Sequence, residues 1–231
     1  MSFKSLSISA VAVLSLCGGA AQAQNLFANG GFETAPTGAA PPPGGSGYFA
    51  ANWLFAPTGN PVLHSTTART GSFSANVTAP NGFGGSTMFQ NSVDHGGMAP
   101  ISADMAGMTT NLSFWALGDV STTGNILFSL RYLAANGGIL GSSGNVFFQN
   151  QINPTTWSNI TFAGAAIPVG TTAMFLEINT AVGPLLDGRP NSVFIDDLSL
   201  MAVPEPGTYA LMMAGLAFVG GVAARRRRAA V

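Results

Sequence analysis

Between residues 25 and 200 the apolar side chains come in short runs, separated by clusters of Gly, Asn, Pro, Ser and Thr. Within the runs apolar and polar positions tend to alternate, the period of two that sends successive side chains to opposite faces of a strand. In "SFSANVT", Phe73, Ala75 and Val77 share one parity and Ser72, Ser74 and Asn76 the other, so one face is buried. In "NLSFWAL", Leu112 and Phe114 oppose Ser113, Trp115 and Leu117, which turns Trp115 away from the core side. Strands are predicted over 25–27, 53–55, 72–78, 87–93, 111–117, 126–133, 146–149, 158–163, 173–179 and 192–200. "INPTTW" and "GTT" read as turns, and "PTGAAPPPGGSG" over 36–47 as an exposed loop. There is no internal repeat and no amphipathic helix in this stretch. The pattern predicts one all-β domain, an antiparallel β-sandwich over 24–202.

Both ends break the pattern. Lys4 is followed by the apolar "LSISAVAVLSL" and then by Ala21-Gln22-Ala23, a small-x-small site before Gln24. This is the layout of a signal peptide over 1–23, removed by signal peptidase. Cys17 is the single cysteine, and Leu16 before it is too large for a lipoprotein cleavage site. The thiol leaves with the signal, which excludes a disulfide framework, a zinc cluster or a cysteine nucleophile in the mature chain. At the other end, 208–224 are 17 residues without a charge. As a helix they span about 25 Å at roughly 1.5 Å per residue, near the lower limit for a membrane span. Arg225, Arg226, Arg227 and Arg228 follow directly and stop transfer, staying cytoplasmic under the positive-inside bias while the body lies outside. The expectation is a single C-terminal transmembrane helix.

Composition sharpens this picture. Of 231 residues 7% are charged and 47% apolar, with 30 glycines and 14 prolines, which is not the make-up of a charged, disordered polymer. Four of the eight basic residues sit in the terminal run. Residues 24–203 keep three arginines against eight acidic side chains, and so acidic a body excludes a nucleic-acid partner.

The tail "VPEPGTYALMMAGLAFVGGVAARRRR" carries Pro204, Glu205 and Pro206, then the apolar stretch, then the arginine cluster. In that order the three parts resemble a PEP-CTERM sorting signal, over 203–231. The resemblance implies a Gram-negative exporter, recognition by an exosortase in the inner membrane, and cleavage near Pro206. It further implies an inner-membrane intermediate, release to the cell surface or extracellular matrix, and association with exopolysaccharide and biofilm.

The body has a second resemblance. "NLFANGGFE", "ARTGSFSANV", "NLSFWA", "WSNITF" and "VFIDDLSL", in that order, resemble the jelly-roll carbohydrate-binding modules of the galactose-binding-like type. In such modules a structural calcium ion takes carboxylates from the Gly-Phe-Glu element and from the last strand. Here those positions are Glu33 and Asp196 or Asp197, with a strand bulge favouring Asp196. Backbone carbonyls and water would complete the six to eight oxygen ligands that calcium takes. Gly30 and Gly31 permit a bulge and Phe32 anchors the core.

A glycan would stack on exposed aromatic rings, with polar groups fixing its orientation. Tyr48, Trp115 and Tyr132 are the candidate rings, whereas Trp53 and Trp157 match core or strand-end positions. Catalysis finds little support. A glycosidase needs two carboxyl groups flanking one bond, roughly 5 to 10 Å apart, and the side chains of neighbours Asp196 and Asp197 diverge along a strand. His64 and His95 lack a metal-binding context, and "GSS" at Gly141 lacks a nucleophile elbow. The leading expectation is an exported, non-catalytic surface or matrix protein. A carbohydrate-binding module with a defined glycan is the alternative, and a cryptic glycoside hydrolase comes third.

Overall fold

A computed structural model describes residues 24–36, 47–56, 60–79, 86–91, 97–120, 124–182, 191–204 and 206–228. The signal peptide, the centre of the 36–47 loop, His95 and Glu205 lie outside the described residues. Twelve strands are described: β1 (Gly47–Ala50), β2 (Trp53–Phe55), β3 (Leu63–Ser65), β4 (Ser74–Ala79), β5 (Ser86–Asn91) and β6 (Thr109–Asp119), then β7 (Gly124–Leu133), β8 (Ile139–Ser142), β9 (Val146–Phe147), β10 (Ser158–Ala166), β11 (Ala173–Val182) and β12 (Asn191–Val203). They form two antiparallel sheets. The larger runs β1-β2-β5-β11-β7-β8, with β9 also on β7, and the smaller runs β10-β6-β12-β4-β3.

The inward parities of both sheets meet in one core. From the large sheet come Met88, Ile126, Phe128, Leu130, Leu176 and Ile178, and from the small one Ala75, Val77, Leu112, Phe114, Val193 and Ile195. Phe114 meets Phe128 and Phe148 edge-on, with ring centroids 5.9 and 5.1 Å apart. Edge-on contact sets the positive edge of one ring against the negative face of the next. At the other end of the core Phe27 and Phe32 close on buried Trp53, whose indole N–H donates to the carbonyls of Ala28 and Asn29.

Nine of the ten predicted strands form, 53–55 with the ends expected and the others with shifted ends; 25–27 does not. There Leu26 donates to the Leu200 carbonyl while its own carbonyl accepts from Ala99. The chain then curls through left-handed Asn29 and Phe32, too soon for a ladder to build. The segment still lies along the last strand, since Leu198 donates to the Gly30 carbonyl at 2.9 Å. Gly30 is required at that crossing: a Cβ there would sit 2.2 Å from the Leu198 carbonyl oxygen.

Beyond β12 an α-helix, α1, spans Pro206–Arg228. Proline suits the first helical position, where no N–H is needed. Among the described residues no helix is long and apolar enough to cross a membrane.

Candidate functional site

Three places gather the residues singled out above. The first is the edge where Glu33, Asp196 and Asp197 meet. β12 bulges between Asp196 and Ser199, as expected, and Asp197 takes a left-handed φ of 51°. The bulge turns both carboxylates toward one short stretch, Arg69 to Phe73, ahead of β4. Buried Asp196 accepts on Oδ2 from the backbone N–H groups of Arg69 (2.8 Å) and Thr70 (3.3 Å), and on Oδ1 from that of Asp197 (2.7 Å). Asp197 accepts from the Arg69 guanidinium on Oδ2 and from the Thr70 hydroxyl on Oδ1, both at 2.6 Å. Glu33 accepts from the N–H groups of Ser72 and Phe73 at 3.0 Å. Gly71, at φ +62°, lets the loop pass over that carboxylate, because a Cβ there would lie 2.3 Å from Glu33 Oε1. Burial pushes the Asp196 carboxyl above its ordinary 3.8, against the backbone donors that pull it down.

The three carboxylates therefore converge, yet the atoms pointed at them are hydrogens. All six of their oxygens accept from protein donors. Among the described residues no three His, Cys, Asp or Glu side chains are placed to hold a metal ion. A calcium ion needs oxygen lone pairs facing it. This donor set does not fit one.

The second place is the outer face of the small sheet. Trp115 lies there, as its parity predicts, opposite Asp196. The Arg69 guanidinium covers its ring, 3.7 Å from the centroid, so that ring face is not free for a sugar. Tyr132 corrects the reading more sharply. It faces the core at 2% exposure, its hydroxyl paired with Thr110 at 2.6 Å and donating to the Ala165 carbonyl at 3.2 Å. Its position in β7 puts it in phase with Phe128 and Leu130, and no ligand reaches it.

The third place is the outer face of the large sheet, and there Tyr48 belongs, 40% exposed. Strand register sets Tyr48, Leu54, Phe89, Glu177 and Ser129 in one rung across five strands. A neighbouring rung pairs Phe175 with Arg131. The rings of Phe89 and Phe175 stack with centroids 5.6 Å apart, and Arg131 lies over Phe175 at 5.2 Å while its guanidinium pairs with Glu177 at 3.2 Å. Alongside, Asn179 donates to the Thr87 hydroxyl. The buried side-chain oxygens of Asn125 and Asn179 have no partner among the described residues. The sequence reading missed this face. Its signal was there in "AMFLEINT", where Phe175, Glu177 and Asn179 alternate with the apolar set.

Pro204 ends the last strand, Pro206 opens α1, and Arg225 and Arg226 are exposed near its end. Residues 202–228 match the family model of the PEP-CTERM protein-sorting motif. The tail is a sorting signal. The PEP-CTERM motif marks an exported protein handled by an exosortase. No curated protein matches the chain in sequence. Among solved structures, the enzymatically active domain of bacteriophage CBA120 tailspike protein 4 is 16% identical with a TM-score of 0.52, over 78% of this chain and 21% of that one. The chain thus spans about a fifth of that protein's length, and the likeness is one of fold. TmCBM61, solved with beta-1,4-galactotriose, is 16% identical (TM-score 0.47, over 78% of this chain and 99% of that one). The CBM22-1 xylan-binding domain of Paenibacillus barcinonensis Xyn10C is 11% identical (TM-score 0.46, over 79% and 97%).

Proposed function

We propose that this chain is an exported, non-catalytic surface or matrix protein that binds a saccharide on the outer face of its large sheet. The sorting tail supports delivery: an exosortase removes it near Pro206, and the body joins exopolysaccharide at the surface.

One observation carries the binding reading. A single sheet face holds the stacked rings of Phe89 and Phe175, exposed Tyr48, and an ion-paired Arg131 and Glu177. Rings accept the apolar face of a sugar, while oriented polar groups read its hydroxyls. A hydrolytic reading has less behind it. Among the described residues the strands of the large sheet carry one carboxylate, Glu177, where glycoside cleavage takes two. A glycan array probed with the chain, and with Tyr48→Ala and Glu177→Gln, tests the reading. Binding of a saccharide that weakens in both variants is expected. An array without hits, or hits indifferent to both changes, overturns it.

A further inference from the structure

The misfit between the carboxylate edge and calcium has a positive content. We propose that Arg69 is the resident cation of this edge, holding by its guanidinium and backbone the place that a divalent ion would hold.

Arg69 is tied from three sides. Its backbone N–H meets Asp196, its guanidinium meets Asp197, and the same guanidinium rests on the Trp115 ring. The guanidinium–carboxylate pair alone joins residues 128 positions apart in sequence. Through Ser72 and Phe73 the same loop also grips Glu33 of the first segment. One stretch of five residues thereby staples the first segment and the last strand to the start of β4. The planar guanidinium face of Arg69 suits both a carboxylate and a ring. A bound metal ion binds only the folded chain and makes stability depend on its concentration. An arginine built into the chain does not.

Melting curves of the full chain in detergent separate the two cases. The wild type should melt at one temperature in millimolar calcium and in excess chelator, and metal analysis of chain purified without chelator should find well below one equivalent of calcium. Arg69→Met keeps most of the stem and removes the charge, and should lower the melting temperature by several degrees; Arg69→Lys should recover part of the loss. A methionine variant that does not fold still supports the staple, and the wild-type arms then decide the cation. Chelator that lowers the wild-type melting temperature, or a stoichiometric calcium ion, overturns the proposal. So does an Arg69→Met variant that melts with the wild type.

Discussion

Gly71→Ala tests the carboxylate edge through a single methyl group. The residue sits at φ +62°, where an L side chain costs about 1–2 kcal/mol. Its new Cβ would fall 2.3 Å from Glu33 Oε1. The carboxylate ends a flexible side chain and can swing away, so the clash itself is cheap. Swinging away breaks its bonds to the Ser72 and Phe73 N–H groups. For an exposed carboxylate that loss is on the order of 1 kcal/mol. The sum is about 2–3 kcal/mol, or roughly 4–12 °C in melting temperature for a domain of this size. A double-mutant cycle isolates the second part. In a Glu33→Ala background no carboxylate has to be displaced, so Gly71→Ala should cost only the backbone strain. Coupling of about 1 kcal/mol is expected; costs that add to within about 0.3–0.5 kcal/mol would refute the contact between loop and carboxylate.

Three further outcomes are expected. Gly118→Ala places a Cβ 2.0 Å from the Ser192 carbonyl oxygen at φ +147°, inside the pairing of β6 with β12, and should cost more than about 3 kcal/mol in chemical unfolding; a variant within 1 kcal/mol of wild type contradicts the close approach. Burial lifts the Tyr132 phenol above 10.0, so its contribution to stability is full below the unfolded-state value and is lost as pH rises through the folded-state one; Tyr132→Phe should flatten the alkaline limb of the stability curve and, by losing the Thr110 bond, cost about 1–2 kcal/mol at neutral pH. Alanines in place of Pro204, Glu205 and Pro206 should leave full-length chain in the inner membrane, whereas mass spectrometry that finds Arg225 to Arg228 on surface-located wild type removes the case for tail cleavage.

The long strands were legible because period two survives in β4, β6, β7 and β11, whose inward residues are the alternate apolar ones. β1, β3 and β8 were not. Each is three or four residues long, too short to show a period, and "GYFA" and "ILGS" contain glycine next to turn sequence. Proximity of the Gly-Phe-Glu element to the last strand was foreseen, and so was the bulge at Asp196. What filled the space was not, because Arg69 lies 127 positions from Asp196 and only pairing of β4 with β12 brings its loop over the edge. The large-sheet face was hidden for the same reason. Phe89 and Phe175 read as two unrelated apolar positions until β5 pairs with β11. Tyr132 misled because a tyrosine's hydroxyl suggests exposure, whereas here Thr110 and Ala165 satisfy it inside the sandwich.

The face that binds is the central claim, and side-chain amide resonances test it most directly. With a saccharide found on the array, titration followed by NMR should move the amide signals of Asn125 and Asn179 and the ring signals of Tyr48 and Phe175, and leave the Trp115 indole in place. Shifts that gather instead at Trp115 and the Arg69 to Phe73 loop, with the large sheet silent, would contradict it.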